Sequence, residues 1–363
     1  MNSRVFRRAA LAATGVAALI AATALPGDAA TTAEWRFSAY ESSLTGGMDS
    51  VVALSRTNAW AEGTIYHGET LVNSPYVLHW NGAKWSAVTI PGSSGYYSSQ
   101  VSASSASNVW VLGTDVNGSL NQKIFRYDGA HWHTMSVPEG NLDNLMVLSA
   151  TDVWVTGQIS CTISPKSTKC ITDVWQWNGS KWLAHPINSS VYSIGASSAS
   201  NVWAVGLGGV NSKGEGTVAA YRWAGTHWTP VAMSHPDMSG WPNIGMGSAS
   251  NVWIEGWRGV SSQVLALHWN GSKWQQVISP AEDAASPDAV PYGSAGVWMG
   301  SYVVWTGRGW ISTLPKPPFE GGVIDNVDPI PGASGSYWGA ASAETNANSS
   351  VDHPAMVIYG PVP

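Results

Sequence analysis

The chain has 363 residues and a mass of 38.3 kDa; 44% of residues are apolar, 11% are charged, and the formal charge is −6 from 17 Lys+Arg against 23 Asp+Glu. That balance excludes a basic surface for nucleic acid or anionic lipid, and the low charge excludes a highly charged disordered chain. With 22 Trp, 39 Gly and 20 Pro beside only 4 Phe, the composition combines turn formers with β-favouring aromatics and points to an all-β fold.

At the N-terminus, Arg4, Arg7 and Arg8 precede an apolar, Ala-rich run from Ala9 to Leu25, and small residues follow, with a cleavage point near Ala29 or Ala30. A positive start, an apolar middle and a small-residue cut make the grammar of a secretory signal peptide. The run is shorter than a comfortable membrane span. The expectation is a signal peptide over residues 1–30 and a single mature domain over residues 31–363, secreted to the extracellular space without membrane insertion. The Arg7-Arg8 pair leaves both the general and the twin-arginine export routes open.

A phrase then recurs: SRTNAW (55–60), SASNVW (105–110), SATDVW (149–154), SASNVW (198–203) and SASNVW (248–253), followed by a shortened SAGVW (294–298) and a degenerate SGSYW (334–338). Each of the first six is followed by a second phrase, from HWNGAKW (79–85) through RYDGAHW (126–132), QWNGSKW (176–182), RWAGTHW (222–228) and HWNGSKW (268–274) to VWTGRGW (304–310). The tryptophans of the first phrase are spaced by 50, 44, 49, 50, 45 and 40 residues, which is the period of propeller blades. Each unit reads as four short strands. Asn-Gly or Asp-Gly between apolar runs marks the third-to-fourth turn, because Gly accepts the positive φ of a tight hairpin. Ser, Thr, Asn and Asp of the first phrase fold back on their own backbone at the first-to-second turn.

Counting the ends closes the ring. The seventh unit stops at Val357-Ile358-Tyr359-Gly360, where a third strand should end, and Ala33-Glu34-Trp35-Arg36-Phe37 reads as a fourth strand with no preceding three. Trp35 lies one full period of 50 residues before Trp85. The predicted architecture is therefore a seven-bladed β-propeller of four-stranded antiparallel blades, its last blade completed by the N-terminal strand, which leaves no open edge. The domain is expected to be monomeric.

Nineteen of the 22 tryptophans fall at repeat positions and are predicted to pack between blades; Trp175, Trp241 and Trp257 fall outside the register. His79, His131, His227 and His268 also belong to the repeat, and neither a metal nor a cofactor is called for. Cys161 and Cys170, nine positions apart, are expected to close a short loop by a disulfide in an oxidising compartment.

In an up-and-down meander the two repeated turns share one face of the disc, and the variable connections share the other, where recognition normally lives. On that face the densest cluster belongs to the fifth unit. His235, Asp237 and Trp241 precede it, Glu255 follows Trp253 by two residues, and Trp257-Arg258 opens its variable loop. An aromatic platform with a guanidinium and an acid beside it suits a sugar, which offers apolar CH faces ringed by hydroxyls. The competing structural reading is that Trp241 and Trp257 cover blade edges and Glu255 caps a strand.

The repeated Ser-Ala-Ser-Asn-Val-Trp and His-Trp-Asn-Gly-x-Lys-Trp phrases resemble the propeller repeats of bacterial secreted proteins related to the Asp-box, or bacterial neuraminidase repeat, group, across nearly the whole mature chain. The Asp-box, Ser-x-Asp-x-Gly-x-x-Trp, occupies a third-to-fourth-strand turn, as Asn81-Gly82-Ala83-Lys84-Trp85 does here, with one residue fewer before Gly and Asn mostly replacing Asp. The resemblance implies the fold and the place of the turn, and carries no activity. The arginine triad and Tyr–Glu pair of the sialidases of that group have no recognisable counterpart. A copper-linked Cys–Tyr pair, as in galactose-oxidase-like chemistry, is not available when both cysteines fall in one loop.

Three functions remain open from the sequence. The first is a non-catalytic binding protein for glycan or cell-wall polysaccharide. The second is a polysaccharide hydrolase or lyase using Glu255, Asp237, Glu62 and Asp328 as acid and base. The third is a platform for extracellular protein partners.

Overall fold

The computed structural model describes residues 34–67, 70–71, 74–117, 121–164, 167–187, 189–210, 216–233, 238–258, 263–279, 289–299, 303–312, 321–344 and 351–360. The expected export segment lies outside them. The described chain contains no helix. It forms seven antiparallel sheets, six built from consecutive strands and the seventh from both ends of the chain. In chain order the first strands of blades 1 to 7 are Thr45–Ser55, Tyr96–Ser105, Asn141–Ser149, Ser190–Ser198, Met238–Ser248, Val290–Tyr292 and Gly321–Pro329. Each first strand packs beside the first strands of the two neighbouring blades, and that of blade 7 returns to blade 1, so the protein is a closed seven-bladed β-propeller.

Closure follows the sequence reading. Strand Trp35–Tyr40 pairs antiparallel with His353–Tyr359, aligning Trp35 with Tyr359, and becomes the fourth strand of blade 7. Blade 1 departs from the four-strand pattern in one detail, a two-residue strand Thr70–Leu71 that pairs with its second strand.

The tryptophan register has a single packing rule. The seven second-strand tryptophans (Trp60, Trp110, Trp154, Trp203, Trp253, Trp298 and Trp338) are all buried, none more than 3% exposed. Each reaches across a seam to the next blade. Trp110 meets Trp177 and Trp182, Trp154 meets Trp223 and Trp228, Trp298 meets Tyr359 and Trp35, and Trp338 meets Trp80 and Trp85, with ring centroids 5.1–6.3 Å apart. Sheets that diverge outward leave a wedge of space, and a large ring from one side held between two rings from the other fills it. Such tilted and edge-on pairs add roughly 0.5–1.5 kcal/mol each beyond the area they bury.

The residues around those rings explain the phrases. In blades 2, 4 and 5 the indole Nε1–H of Trp110, Trp203 and Trp253 donates to Oδ1 of Asn108, Asn201 and Asn251 at 2.9–3.0 Å, so the Asn two residues before Trp satisfies a buried donor. The third-strand residue opposite adds to this pair. Arg126 lies over Trp110 and also donates to Asn108, while His268 stacks on Trp253 at 4.1 Å and hydrogen-bonds Asn251. Burial lowers the pKa of His79 and of His268. Both stacked histidines serve the seam.

A second device ties the inner ring together. The first strand of a blade is a sheet edge, and its outward N–H groups need acceptors. Side chains of the preceding blade supply them: Asn326 to Val51 N at 3.1 Å, Asp328 to Ala53 N at 2.6 Å, Ser50 to Val101 N at 3.2 Å, Gln100 to Leu145 N at 2.6 Å, Ser102 to Val147 N at 3.0 Å and Ser193 to Ile244 N at 3.4 Å.

Candidate functional site

The repeated turns do share a face. At the third-to-fourth turns, glycines sit at φ between 86° and 99°. A Cβ on Gly82, Gly129, Gly179 or Gly271 would fall 2.7–2.9 Å from Thr57, Ser107, Thr151 or Ser250 of the first-to-second turn of the same blade. Those contacts press the two repeated turns together and assign the variable connections to the opposite end of the strands.

On that opposite face, blade 5 runs through Asn251–Arg258 and, after residues that are not described, Val264–Trp269. Trp257 is aligned with Ser239 on one side and Val264 on the other, and its ring packs partly buried on the cluster of Trp253, Val264, Ala289, Val297 and Met299 between blades 5 and 6. Arg258 is exposed, and the Gln263 side chain accepts from its guanidinium at 3.3 Å while its backbone N–H donates to the Gln263 carbonyl at 2.9 Å. So the strand end carries a half-buried indole, and the next residue turns a guanidinium held by Gln263 to the other face of the sheet.

Glu255 does not join that surface. Strand alternation puts it on the face of Trp253 and Trp257, and it is wholly buried. Glu62 occupies the equivalent place in blade 1, also fully buried, with the Ser50 hydroxyl donating to it at 2.9 Å. Asp328 is engaged in the seam between blades 7 and 1, and burial pushes its carboxyl up to about 7 although the Ala53 N–H pulls the other way. Of the four carboxylates that the sequence offers as acid or base, the three described ones thus sit in three different seams. A glycosidase pair needs its carboxyls roughly 5–10 Å apart across one substrate. His235 and Asp237 lie outside the described residues, and of Trp241 only the backbone is described, within the irregular stretch of the first strand between Ser239 and Asn243.

Cys161 and Cys170 face each other as direct cross-strand partners in the long hairpin of blade 3, Asp152–Ser164 and Ser167–Trp177. Their side chains lie outside the described part. Among the described residues no cluster of His, Cys, Asp and Glu could hold a metal ion. No helix among them is long and apolar enough to cross a membrane.

No protein-family model and no curated protein matches the chain. Solved structures do. A family 74 glycoside hydrolase, a xyloglucanase from Xanthomonas campestris, aligns with TM-score 0.55 and 13% identity over 89% of this chain and 55% of its own. The β-propeller domain of the Trilobed protease from Pyrococcus furiosus aligns with TM-score 0.56 and 8% identity over 85% and 94% of the two chains. A fucose-specific lectin from Aleuria aurantia gives TM-score 0.45 and 14% identity over 75% and 96%. At such identities the first two likenesses show the propeller fold alone, and the third adds nothing to them.

Proposed function

We propose that this is an extracellular, non-catalytic binding protein that recognises glycan or cell-wall polysaccharide on its variable-loop face. The observation that carries the reading is the end of the second strand of blade 5. Trp257 stands outside the tryptophan register of the seams and is only partly buried, and at the next position, where the strand ends, Gln263 fixes the Arg258 guanidinium. An aromatic face takes the CH surface of a pyranose, and a guanidinium donates to its hydroxyls. Seven rigid, mutually packed sheets hold this platform without reorganisation, which keeps the entropic cost of binding low. The separation of Glu62, Glu255 and Asp328 into different seams weighs against hydrolysis. The chain is exported by its N-terminal segment, and the opposed Cys161 and Cys170 become a disulfide there.

A glycan array on the mature protein tests the reading. Saturable binding, lost in Trp257→Ala and weakened in Arg258→Ala while Tm stays within a few degrees, is expected. Turnover of a polysaccharide, or sugar binding indifferent to both variants, overturns it.

A further inference from the structure

One turn breaks the rule of its five counterparts. In blades 1, 2, 3 and 5, Oδ1 of Asn81, Asp128, Asn178 and Asn270 accepts from the backbone N–H groups two and three residues on, at 2.7–3.1 Å. Thr306 Oγ1 does the same in blade 6, toward Arg308 N and Gly309 N. In blade 4 the residue is Ala224. The turn still closes, with Ala224 N donating to the His227 carbonyl at 2.9 Å. Yet no acceptor among the described residues sits on the N–H of Thr226 or His227. This turn also stands clear of its neighbour, since a Cβ on Gly225 meets nothing within 4 Å.

The same turn borders a cavity of about 320 Å³ between the fourth strand of blade 3 (Trp182–Ile187) and the last two strands of blade 4 (Gly216–Trp223 and Trp228–Val231). Its walls include Tyr221, Trp223, Trp228, His185, Thr226 and His227. Among the described residues, no carboxylate, lysine or arginine lines it. The aromatic walls are held in place. Trp228 Nε1 donates to the His185 carbonyl at 3.1 Å, and His185 lies 4.4 Å from the Trp223 ring while bonding Gln176 through Nε2 at 3.2 Å. Burial lowers the pKa of His185, which keeps its imidazole neutral at neutral pH.

We infer that the seam between blades 3 and 4 is a binding site for an uncharged pyranose, one oxygen of which takes the place of the missing Asx oxygen on the N–H groups of Thr226 and His227. The volume is at the lower end of the range for small-molecule sites, and the mixture of aromatic walls with a few convergent donors is their usual chemistry. The absence of a lining charge selects a neutral ligand, and the indole and phenol walls select one with an apolar face. This site is separate from Trp257 and stands whether or not the variable face binds glycan.

The decisive variant is Ala224→Asn, which installs in blade 4 the residue that blades 1, 3 and 5 carry and so fills the oxygen position from within. The probes are methyl glycosides of glucose, galactose, mannose, xylose, fucose and N-acetylglucosamine, with galacturonate as a charged control, read by ligand-observed NMR and tryptophan fluorescence. At least one neutral glycoside is expected to bind the parent protein. Ala224→Asn should weaken it tenfold or more with no fall in Tm. Tyr221→Phe should weaken it less than Ala224→Asn does. No binding by any neutral glycoside, galacturonate binding as tightly as the best of them, or affinity indifferent to Ala224→Asn each overturns the site. Binding that Trp257→Ala abolishes and Ala224→Asn leaves intact would overturn this inference while supporting the variable-face reading.

Discussion

Two seams of the ring use different chemistry for the same task. Between blades 7 and 1, whose inner strands are far apart in sequence, those strands are joined by acidic and amide side chains, Asp328 to Ala53 N and Asn326 to Val51 N, and Arg56 Nε donates to the Gly332 carbonyl at 3.0 Å. Three blades on, between blades 3 and 4, the links are neutral: Asn144 Nδ2 to the Tyr192 carbonyl at 2.7 Å and Val191 N to Thr172 Oγ1 at 3.1 Å. The outer halves differ too. Trp338 is gripped between Trp80 and Trp85 at 5.1 Å from each, whereas Trp154 meets Trp223 and Trp228 at 5.5 and 5.8 Å and a cavity opens beside them. The seam that must hold non-contiguous chain segments is fastened by a titratable group, and the seam formed within a continuous chain is free to keep an opening.

The largest test of that contrast removes the fastening strand. Without Trp35–Tyr40, blade 7 has a bare edge at His353–Tyr359, and the Trp298 ring loses Trp35, 5.5 Å away. A chain lacking residues 1–40, set beside one lacking residues 1–30, is expected to lose most of its cooperative stability, with a Tm lowered by ten degrees or more or outright aggregation, since an unpaired edge templates association. A calorimetric scan that stayed superimposable on the intact protein would show that the ends do not close the ring. Next in size, Trp338→Ala should cost about 3–5 kcal/mol, the usual range for a large buried aromatic. Trp154→Ala should cost less, because its partner rings stand farther off, at 5.5 and 5.8 Å against 5.1 Å for Trp338; denaturant titration of the two variants compares the seams directly.

The seams should also answer differently to pH. Asp328 has a folded pKa near 7 against an ordinary value of 3.8, so between those limits the folded protein holds a proton that the unfolded chain has released. Its contribution is fully present below about pH 4 and lost as pH rises through 7. The shift would correspond to about 4 kcal/mol for a fully shielded group; partial contact with solvent reduces this to about 1–2 kcal/mol. Asp328→Asn should therefore flatten the decline in stability between pH 4 and 7, while Thr172→Val in the blade 3–4 seam should lower stability by a similar amount at every pH. Parallel pH profiles for Asp328→Asn and the parent would remove Asp328 from the account.

Much of this was legible in the sequence, for a physical reason: a propeller repeats one packing problem, so residues that solve it recur at one spacing. Seven blades, the shared last blade, the seam tryptophans and the common face of the two turns all follow from phrases such as SASNVW and HWNGSKW. The links across the inner ring were not legible. Ser50, Gln100, Ser102, Ser193, Asn326 and Asp328 differ in type, and any short polar chain at the right height can accept from a neighbouring backbone. That is why Asp328 and Glu62 read as conceivable catalytic acids. The departure of Ala224 from the phrase was visible, but its meaning depends on an oxygen that only the other five turns reveal. Of the variable-face cluster, His235 and Asp237 fall outside the described residues.

The smallest effect separates blades that look alike in sequence. In blade 4, Asn201 accepts from Trp203 Nε1 at 3.0 Å and donates to Ser197 at 2.8 Å, so Asn201→Ala strands a buried indole N–H and should cost about 1–2 kcal/mol. In blade 1 the same phrase holds Asn58 and Trp60, yet neither Asn58 Oδ1 nor Trp60 Nε1 has a hydrogen-bond partner among the described residues. There His79 stacks on the indole at 4.3 Å instead. Asn58→Ala removes no bond that Trp60 makes and should fall within about 0.5 kcal/mol of the parent. Equal losses for the two variants in urea titration would mean that Asn in this phrase acts through its turn rather than through the tryptophan behind it.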